Sequence, residues 1–167
     1  SFLKSVTNAK PKIANYPFTT LHPNLGVASY SSFEEIIIAD IPGIIKNASK
    51  GIGLGIKFLG HIEKCKFLLH FLDCSEKNIL NNYTTIRKEL DIYSKKLSDK
   101  NEIVVLSKSD LISSKDLKEI VQKLKKKIQK NIFSISINDN ASILKIKNLL
   151  LSEKNKNEKV VFKKWSP

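Results

Sequence analysis

The sequence predicts an α/β fold with a mainly parallel sheet between helical layers. Three short apolar segments have the length and composition of buried strands. Each is followed by polar residues or by a stretch in which apolar residues recur every three or four positions, the spacing of an amphipathic helix. Chains that alternate strands and helices form parallel sheets covered on both faces, a three-layer arrangement. The three segments lie at 66–73, 103–106 and 132–135.

The part of the chain before these strands predicts a different set of elements. Residues 1–9 carry apolar side chains on one face and predict the end of a helix. A long Pro- and Thr-rich loop is expected at 11–24, and a loop of that length inside a compact domain usually has a function. Two paired strands are expected at 26–30 and 35–39, before a glycine-punctuated segment at 41–60 that combines a loop with the start of a helix.

Apolar spacing predicts three further helices. The first places Leu80, Tyr83, Ile86, Leu90, Tyr93 and Leu97 on one face, and the second does so with Leu117, Ile120, Val121, Leu124 and Ile128. Ser113 and Asp116 predict a capping box at the start of the second helix. The third helix is expected at 143–150. We therefore expect one domain at 1–152, followed by a basic linker rich in Lys, Asn and Glu at 153–167.

The composition is that of a soluble globular domain. The chain has 167 residues, of which 41% are hydrophobic and 27% charged, enough for one packed core. The longest apolar run, 67–72, is interrupted by His70 and is far shorter than the roughly 20 residues that cross a bilayer. The chain has no signal-peptide pattern, and its cysteines lack metal-ligand spacing. We expect a cytoplasmic monomer with reduced thiols.

The charge is strongly positive. Lys and Arg number 29 against 16 acids, which gives a formal charge of +13. Such a surplus suits a polyanionic partner such as RNA, because phosphate neutralisation dominates non-specific affinity for nucleic acid. It also suits a compositional explanation, since Arg87 is the only arginine and the chain is rich in Lys, Asn and Ile. The charge alone is compatible with both explanations.

A strand that ends in an aspartate and a Pro-Gly turn is the first candidate site. The apolar run 36–39 leads into Asp40-Ile41-Pro42-Gly43. Open α/β sheets bind ligands at the carboxyl ends of their strands, where Asp40 could hold Mg²⁺ directly or through water. Gly43 has no Cβ, so its amide can approach a phosphate oxygen closely. An ordinary turn after a strand explains the same four residues.

A second candidate site follows the strand at 103–106. Ser107-Lys108-Ser109-Asp110 is a variant of the Asn-Lys-x-Asp element that reads guanine in GTPases, with Ser107 in place of Asn. The Asp110 carboxylate would accept hydrogen bonds from N1 and N2 of guanine, a pair that adenine lacks, while the Lys108 stem lies along the base. A strand-to-helix loop with an aspartate at the start of a helix is the alternative.

The strand at 132–135 ends in a further candidate. Ser136-Ile137 stands where GTPases carry Ser-Ala, whose backbone amides face guanine O6. Ile137 in place of Ala makes this the weakest of the matches.

The loop before Asp40 offers a second ligand for a cation. Phe18, Thr19 and Thr20 lie there. A threonine hydroxyl, for which Thr20 is the better candidate, would complete the Mg²⁺ shell and couple the order of the loop to the terminal phosphate. A surface threonine pair is the alternative. A loop threonine followed by three strand ends with polar residues is the order expected of one nucleotide site.

Two longer stretches bear a specific resemblance to a known family. Residues 8–26, with the sequence NAKPKIANYPFTTLHPNLG, resemble the signature of the Obg family of GTPases. The glycine-rich run 51–55, which leads to His61-Ile62-Glu63, resembles the second switch of that family. Departures are Lys46-Asn47-Ala48 where the family usually has Glu-Gly-Ala, and Gly60 and Lys64 where it has Arg.

The resemblance implies a fold and a function. The fold is that of P-loop GTPases, the ligands are GTP and GDP, and the cofactor is Mg²⁺. The implied activity is that of a GTP-hydrolysing switch in assembly of the large ribosomal subunit, with the ribosome or its RNA as partner.

One motif that the family carries is missing from the 167 residues. They contain no G-x-x-x-x-G-K-[ST] loop, whose amides and lysine cradle the phosphates of GTP. In the family, the sequence at Ser1-Phe2-Leu3 follows directly after that loop. We therefore expect 1–152 to be a partial GTPase domain that lacks the first strand and the P-loop and binds GTP poorly by itself.

Hydrolysis is expected to be slow. Ile44 and Ile45 follow Gly43 where Ras-type GTPases place a glutamine that orients the attacking water, and hydrocarbon cannot do so. No catalytic residue is therefore assigned. The alternative function is a nucleotide-independent basic module that binds RNA or the ribosome and keeps the GTPase fold as a scaffold.

Overall fold

The protein divides into two compact units, each with its own sheet. The structure, a computed structural model, describes residues 2–7, 24–31, 34–40 and 62–162. One unit is formed by Ser1–Pro42 with Asn140–Pro167, and the other by Gly43–Asp139.

The described elements follow the order predicted from the sequence. They are α1 (Phe2–Val6), β1 (Asn24–Ser31), β2 (Glu34–Asp40), β3 (Leu68–Asp73), α2 (Ile79–Tyr93), α3 (Lys95–Ser98), β4 (Glu102–Ser107), a short 3₁₀ helix (Ser109–Leu111), α4 (Ser114–Lys127), β5 (Ile132–Ser134) and α5 (Asn140–Phe162). The predicted loop residues 11–23 and the glycine-punctuated segment 41–60 lie outside the described residues.

The first unit contains a pair of antiparallel strands with a helix against it. β1 pairs with β2 as predicted, with an irregularity in register between Ser29 and Ser31. The Tyr30 hydroxyl donates a hydrogen bond of 2.7 Å to the carbonyl oxygen of Lys147, and the Lys147 ammonium lies 5.4 Å from the centre of the Tyr30 ring. Burial raises the pKa of Tyr30 to about 12, so the hydroxyl stays protonated well above neutral pH. These contacts tie α5 to β1.

Gly26 allows α1 to approach β1 closely. A Cβ atom at this position would lie 2.5 Å from Cγ2 of Thr7 and 2.7 Å from Cδ1 of Leu3, closer than carbon atoms pack. Leu3 and Val6 are buried, which confirms the predicted apolar face of the first helix.

The second unit is built on a three-stranded parallel sheet, which confirms the predicted α/β class. Its strand order is β3-β4-β5. The first five residues of the central strand β4 are buried, as expected for a strand covered on both faces. Side chains from strands and helices meet in one core, which contains Leu72, Cys74, Ile79, Tyr83, Val104, Leu106, Leu124 and Ile128.

The predicted capping box at the start of α4 is confirmed. Ser113 Oγ accepts a hydrogen bond of 3.1 Å from the backbone amide of Asp116 and donates one of 2.7 Å to Oδ2 of the same residue. The contact satisfies one of the amides that a helix leaves without a partner in its first turn.

The helix predicted to run from Leu80 to Leu97 is two helices. Ser94 interrupts it with an extended backbone (φ −166°, ψ 129°). The Ser94 amide donates to the carbonyl oxygen of Leu90 at 3.1 Å, and its hydroxyl donates to the carboxylate of Glu63 at the same distance. These contacts stabilise the break between α2 and α3.

The last helix is longer than predicted. It continues past Leu150 to Phe162, so the first part of the predicted linker is helical. Glu153 is buried and pairs with Lys156 at 2.7 Å, which extends the packed face of α5 by a turn. The domain boundary at 152 stays a prediction. Although α5 has 23 residues, neither it nor any other helix in the described ranges is apolar enough to cross a membrane.

A buried polar cluster connects β3, α2 and β4. The Glu102 carboxylate accepts hydrogen bonds from Nδ1 of His70 at 2.8 Å and from the Tyr83 hydroxyl at 3.1 Å, and it lies 3.5 Å from the guanidinium group of Arg87. Burial raises the pKa of Glu102, but the contacts with His70, Arg87 and Tyr83 outweigh it and hold the pKa below its usual value. His70, whose ring stacks on Tyr83, has a structural role here.

Candidate functional site

The loops that follow the three parallel strands are joined by backbone hydrogen bonds. The Cys74 amide, just after β3, donates to the carbonyl oxygen of Ser107 at 3.0 Å. The Ser109 amide, just after β4, donates to the carbonyl oxygen of Ile135 at 3.1 Å. Because parallel strands end at the same edge of a sheet, these bonds gather the polar residues of three loops at one place.

Lys108 has an unusual backbone and a tethered side chain. Its φ of 56° makes it the one non-glycine residue with positive φ in the described ranges. The Lys108 ammonium lies 2.5 Å from Oδ2 of Asp73, the last residue of β3. The other oxygen of that carboxylate accepts hydrogen bonds from the amide (2.9 Å) and the hydroxyl (2.6 Å) of Ser75. The loop after β4 is therefore anchored to the loop after β3.

The Lys108–Asp73 contact changes the acidity of both groups. The hydrogen bonds from Lys108 and Ser75 lower the pKa of Asp73 to about 2, and the same contact raises the pKa of Lys108. Both side chains are therefore charged across the neutral pH range.

Asp110 is an exposed carboxylate that two polar residues hold in place. Its Oδ2 atom accepts a hydrogen bond of 3.1 Å from the side-chain amide of Asn138. A hydrogen bond with the Ser136 side chain is the main cause of the lowered pKa of Asp110. Ser136 is buried, and its Oγ atom also accepts a hydrogen bond of 3.1 Å from the backbone amide of Asn138. An ionised carboxylate offers only acceptors, so Asp110 is suited to a ligand with two adjacent N–H donors.

Two predicted residues have structural contacts, and a third is exposed. The Ser107 hydroxyl donates a hydrogen bond of 3.2 Å to the carbonyl oxygen of Leu72 and so connects the ends of β3 and β4. Ser109 is half-buried and begins the 3₁₀ helix that carries Asp110. The Ile137 side chain is 55% exposed.

The predicted phosphate- and metal-binding residues are described only in part. Asp40 ends β2, in the first unit, and its side chain is exposed. The other predicted ligands lie outside the described residues: Phe18, Thr19, Thr20, Ile41, Pro42 and Gly43. In the described ranges no three His, Cys, Asp or Glu side chains come together as a metal site. A carboxylate such as Asp40 fits Mg²⁺, which takes one or two carboxylates with phosphate and water.

Two residues of the cluster were not predicted from the sequence. Asp73 ends an apolar strand, as Asp40 does, and that similarity is the signal that could have identified it. Asn138 follows Ser136 by two residues, a spacing typical of loops in which a side chain bonds the backbone.

Proteins of similar sequence are GTPases. A family profile described as "50S ribosome-binding GTPase" matches residues 1–108. The GTPase Obg of Pelagibacter ubique is 50% identical over 152 residues, which cover 91% of this chain and 46% of that protein. The GTPase Obg of Ehrlichia canis is 52% identical over 140 residues, which cover 84% of this chain and 41% of that protein. The chain spans about half the length of the curated relatives it matches.

Solved structures share the fold. The crystal structure of Era from Aquifex aeolicus, bound to GDP and aluminium fluoride, has a TM-score of 0.63 and 23% identity, and the match covers 91% of this chain and 51% of that one. The elongation factor SelB of Methanococcus maripaludis, in complex with a GTP analogue, has a TM-score of 0.62 and 18% identity over 92% of this chain and 30% of that one. The chain therefore has the P-loop GTPase fold and belongs to the family of 50S ribosome-binding GTPases, among the Obg GTPases.

Proposed function

We propose that this chain carries the guanine-recognition part of a GTP site in an Obg-type GTPase. The observation that supports the proposal most is the Asp110 carboxylate, which Ser136 and Asn138 orient at the carboxyl edge of a parallel sheet. Ligands of open α/β folds bind at this edge.

The chemistry of the cluster suits guanine. The Asp110 oxygens accept hydrogen bonds from N1 and N2 of the base, through the acceptor positions that Asn138 and Ser136 leave open. The Lys108 stem lies along the base plane, because the pair with Asp73 restricts where its side chain can go. The amides of Ser136 and Ile137 face guanine O6.

The phosphate part of the proposed site comes from the rest of the chain and from a P-loop. Asp40 and Thr20 would hold Mg²⁺, which supplies neutralising charge to the terminal phosphates, and the Gly43 amide would contact the terminal phosphate. The 167 residues contain no phosphate-binding loop, so strong GTP binding requires a segment that this sequence does not include.

At the level of the whole protein, the proposed activity is slow GTP hydrolysis in assembly of the large ribosomal subunit, in the cytoplasm and as a monomer. The names of the family and of the relatives support the GTP and ribosome parts of this proposal. Ile44 and Ile45, in place of a water-orienting glutamine, support slow hydrolysis.

The test uses the chain alone and the chain joined to the P-loop segment of its Pelagibacter ubique relative, below called the joined protein. We expect the joined protein to bind labelled GDP in the presence of Mg²⁺, and the chain alone to bind it weakly. Asp110→Ala should weaken binding about 100-fold or more, because it removes two charge-assisted hydrogen bonds.

The matched control is Asp99→Ala, which removes an exposed carboxylate of the same unit next to α3. It should leave GDP affinity unchanged. Guanine-nucleotide binding that survives Asp110→Ala would contradict the proposal. RNA binding that ignores GTP in every variant, without any nucleotide affinity, would favour the nucleotide-independent module, to which the charge of +13 also points.

A further inference from the structure

The solvent face of α4 carries a large excess of positive over negative side chains. The helix has 14 residues, and its six lysines are all exposed, against the two acids Asp116 and Glu119. We propose that this face is an RNA-binding surface, in which a row of four lysines neutralises backbone phosphates. This row, below called the lysine stripe, consists of Lys115, Lys118, Lys125 and Lys126.

Helix geometry places the four lysines along one side of α4. At about 100° per residue they fall within roughly a third of the helix circumference, with Gln122 between them. At 1.5 Å per residue the row from Lys115 to Lys126 is about 16 Å long. Glu119 borders the row, one turn from Lys115, and Asp116 lies farther round the helix, so the two acids flank the row on one side.

The opposite face of α4 accounts for the fold without the lysines. Leu124 is buried in the core, and Leu117, Ile120 and Val121 pack against it. The ion pairs found in the described ranges involve other side chains than the lysines of α4. The positive charge of the α4 lysines is therefore available to an external partner.

Helix stability does not explain the stripe. Lysines in the last turn of a helix interact favourably with its dipole, which accounts for Lys125 and Lys126. Lys115 stands in the first turn, where a positive charge is unfavourable, and it lies one turn from the like charge of Lys118. The helix dipole thus accounts for two of the four lysines and not for Lys115 and Lys118, as expected if the row is kept for binding.

A depression next to the stripe favours RNA over other polyanions. It has a volume of about 540 Å³ and is lined by two lysines, three amide-bearing residues and one apolar residue: Lys125, Lys130, Asn101, Gln129, Asn131 and Ile128. Amide groups both donate and accept hydrogen bonds, and so fit base edges and ribose hydroxyls. Glu102 also lines it, but its carboxylate is buried and engaged by His70, Tyr83 and Arg87.

An anionic membrane is a poorer fit than RNA. Helices that bind membrane surfaces bury an apolar face among the lipids. The apolar side chains of α4 face the protein core instead. The inference rests on the proposed function in one respect, that the protein acts at the ribosome, and it does not depend on nucleotide binding.

The test measures RNA affinity against salt concentration. The probe is a fluorescein-labelled RNA hairpin with a single-stranded loop, and binding is followed by anisotropy in the 167-residue chain and in the joined protein. The stripe variant is K115Q/K118Q/K125Q/K126Q, since glutamine keeps helix propensity and removes charge. The variant can no longer neutralise four phosphates. The slope of log affinity against log salt should therefore become less steep by about 3, and the affinity at low salt should decrease about 10-fold or more.

A charge-matched control separates the stripe from the net charge. K77Q/K88Q/K95Q/K96Q removes four exposed lysines from α2, α3 and the turn before α2. It should keep most of the slope and affinity. Equal reductions in the two quadruple variants would overturn the proposal, as would an absence of RNA binding by the unchanged chain.

Additional measurements test whether the variant is folded and whether other polyanions bind. If circular dichroism shows the quadruple variant unfolded, K125Q/K126Q replaces it, with about half the change in slope expected. Phosphatidylglycerol vesicles and polyglutamate replace RNA in parallel titrations. Binding of either one as tight as RNA, with the same reduction in the stripe variant, would overturn the assignment to RNA.

A failure of this proposal can be told apart from a failure of the GTP site. The stripe variant of the joined protein should keep its GDP affinity, and Asp110→Ala should keep its RNA affinity.

Discussion

The Lys108 ammonium lies 2.5 Å from a carboxylate oxygen of Asp73, so the loop after β4 is tied to the last residue of β3. The two residues are far apart in the sequence and meet because β3 and β4 pair in parallel, with Asp73 opposite Ser107. The left-handed backbone at Lys108 turns the chain at this point. The pair thus holds the residue expected to lie along the base.

The ion pair makes a prediction about the acidity of Asp73. Lys108→Gln should raise the pKa of Asp73 from about 2 toward its ordinary value of 3.8, without reaching it, because the Ser75 hydrogen bonds remain. Carbon-13 NMR of the side-chain carboxyl groups measures the titration directly. Lys95→Gln, on α3, serves as control. An unchanged pKa in Lys108→Gln would show that the pair does not form in solution.

The same pair predicts a dependence of stability on pH. A carboxyl group whose pKa is lowered by folding stabilises the protein above its unfolded pKa, and this contribution disappears as pH falls through the folded pKa. The difference in urea midpoint between the unchanged chain and Asp73→Asn should therefore be small at neutral pH, because Lys108 is exposed to solvent, and should shrink between about pH 4 and pH 2. A difference that grows toward acid pH would contradict this interpretation.

Glu102 is predicted to be essential to the stability of the second unit. Glu102→Gln removes the charge that Arg87 faces and replaces an acceptor of two hydrogen bonds by a group that can accept only at one atom. We expect a decrease of about 3 kcal/mol in the free energy of unfolding, measured by urea denaturation. Glu119→Gln, on the exposed face of α4, should change it by less than about 0.5 kcal/mol. Equal effects would mean that the buried cluster contributes no more than a surface charge.

The capping box of α4 predicts a smaller effect. Ser113→Ala removes the hydroxyl that accepts from the Asp116 amide, and it should cost about 1 kcal/mol in the free energy of unfolding. Ser114→Ala, one residue later and already inside the helix, should be neutral within about 0.5 kcal/mol, because alanine is the better helix former. Thermal unfolding of the two variants side by side decides the matter, and a larger decrease at Ser114 would contradict the assignment of the cap.

Much of the fold was predictable because its signals are local. The apolar run 103–106 became the fully buried centre of the sheet, and the spacing of Ser113 and Asp116 became a formed cap. The order of strand ends placed Lys108 and Asp110 in loops that the structure describes at one edge of the parallel sheet.

The remaining features depend on contacts between distant residues. The helical spacing runs unbroken to Leu97, so the break at Ser94, which a contact with Glu63 stabilises, has no signature in the periodicity. The polar composition after position 152 hid the buried Glu153 and the continuing helix. Asp73 joined the cluster only because the register of β3 and β4 brings it opposite Ser107.

The base preference of Asp110→Asn tests the proposed GTP site most directly. Xanthine carries a carbonyl oxygen at C2 where guanine carries an amine, so an Asn side chain can donate to it while its own oxygen accepts from N1. In the joined protein with Mg²⁺, the unchanged sequence should bind GDP more tightly than xanthosine diphosphate, and Asp110→Asn should reverse that order. An unchanged order in the variant, or the same affinity for both bases in the unchanged sequence, would contradict the assignment of Asp110 as the guanine-reading residue.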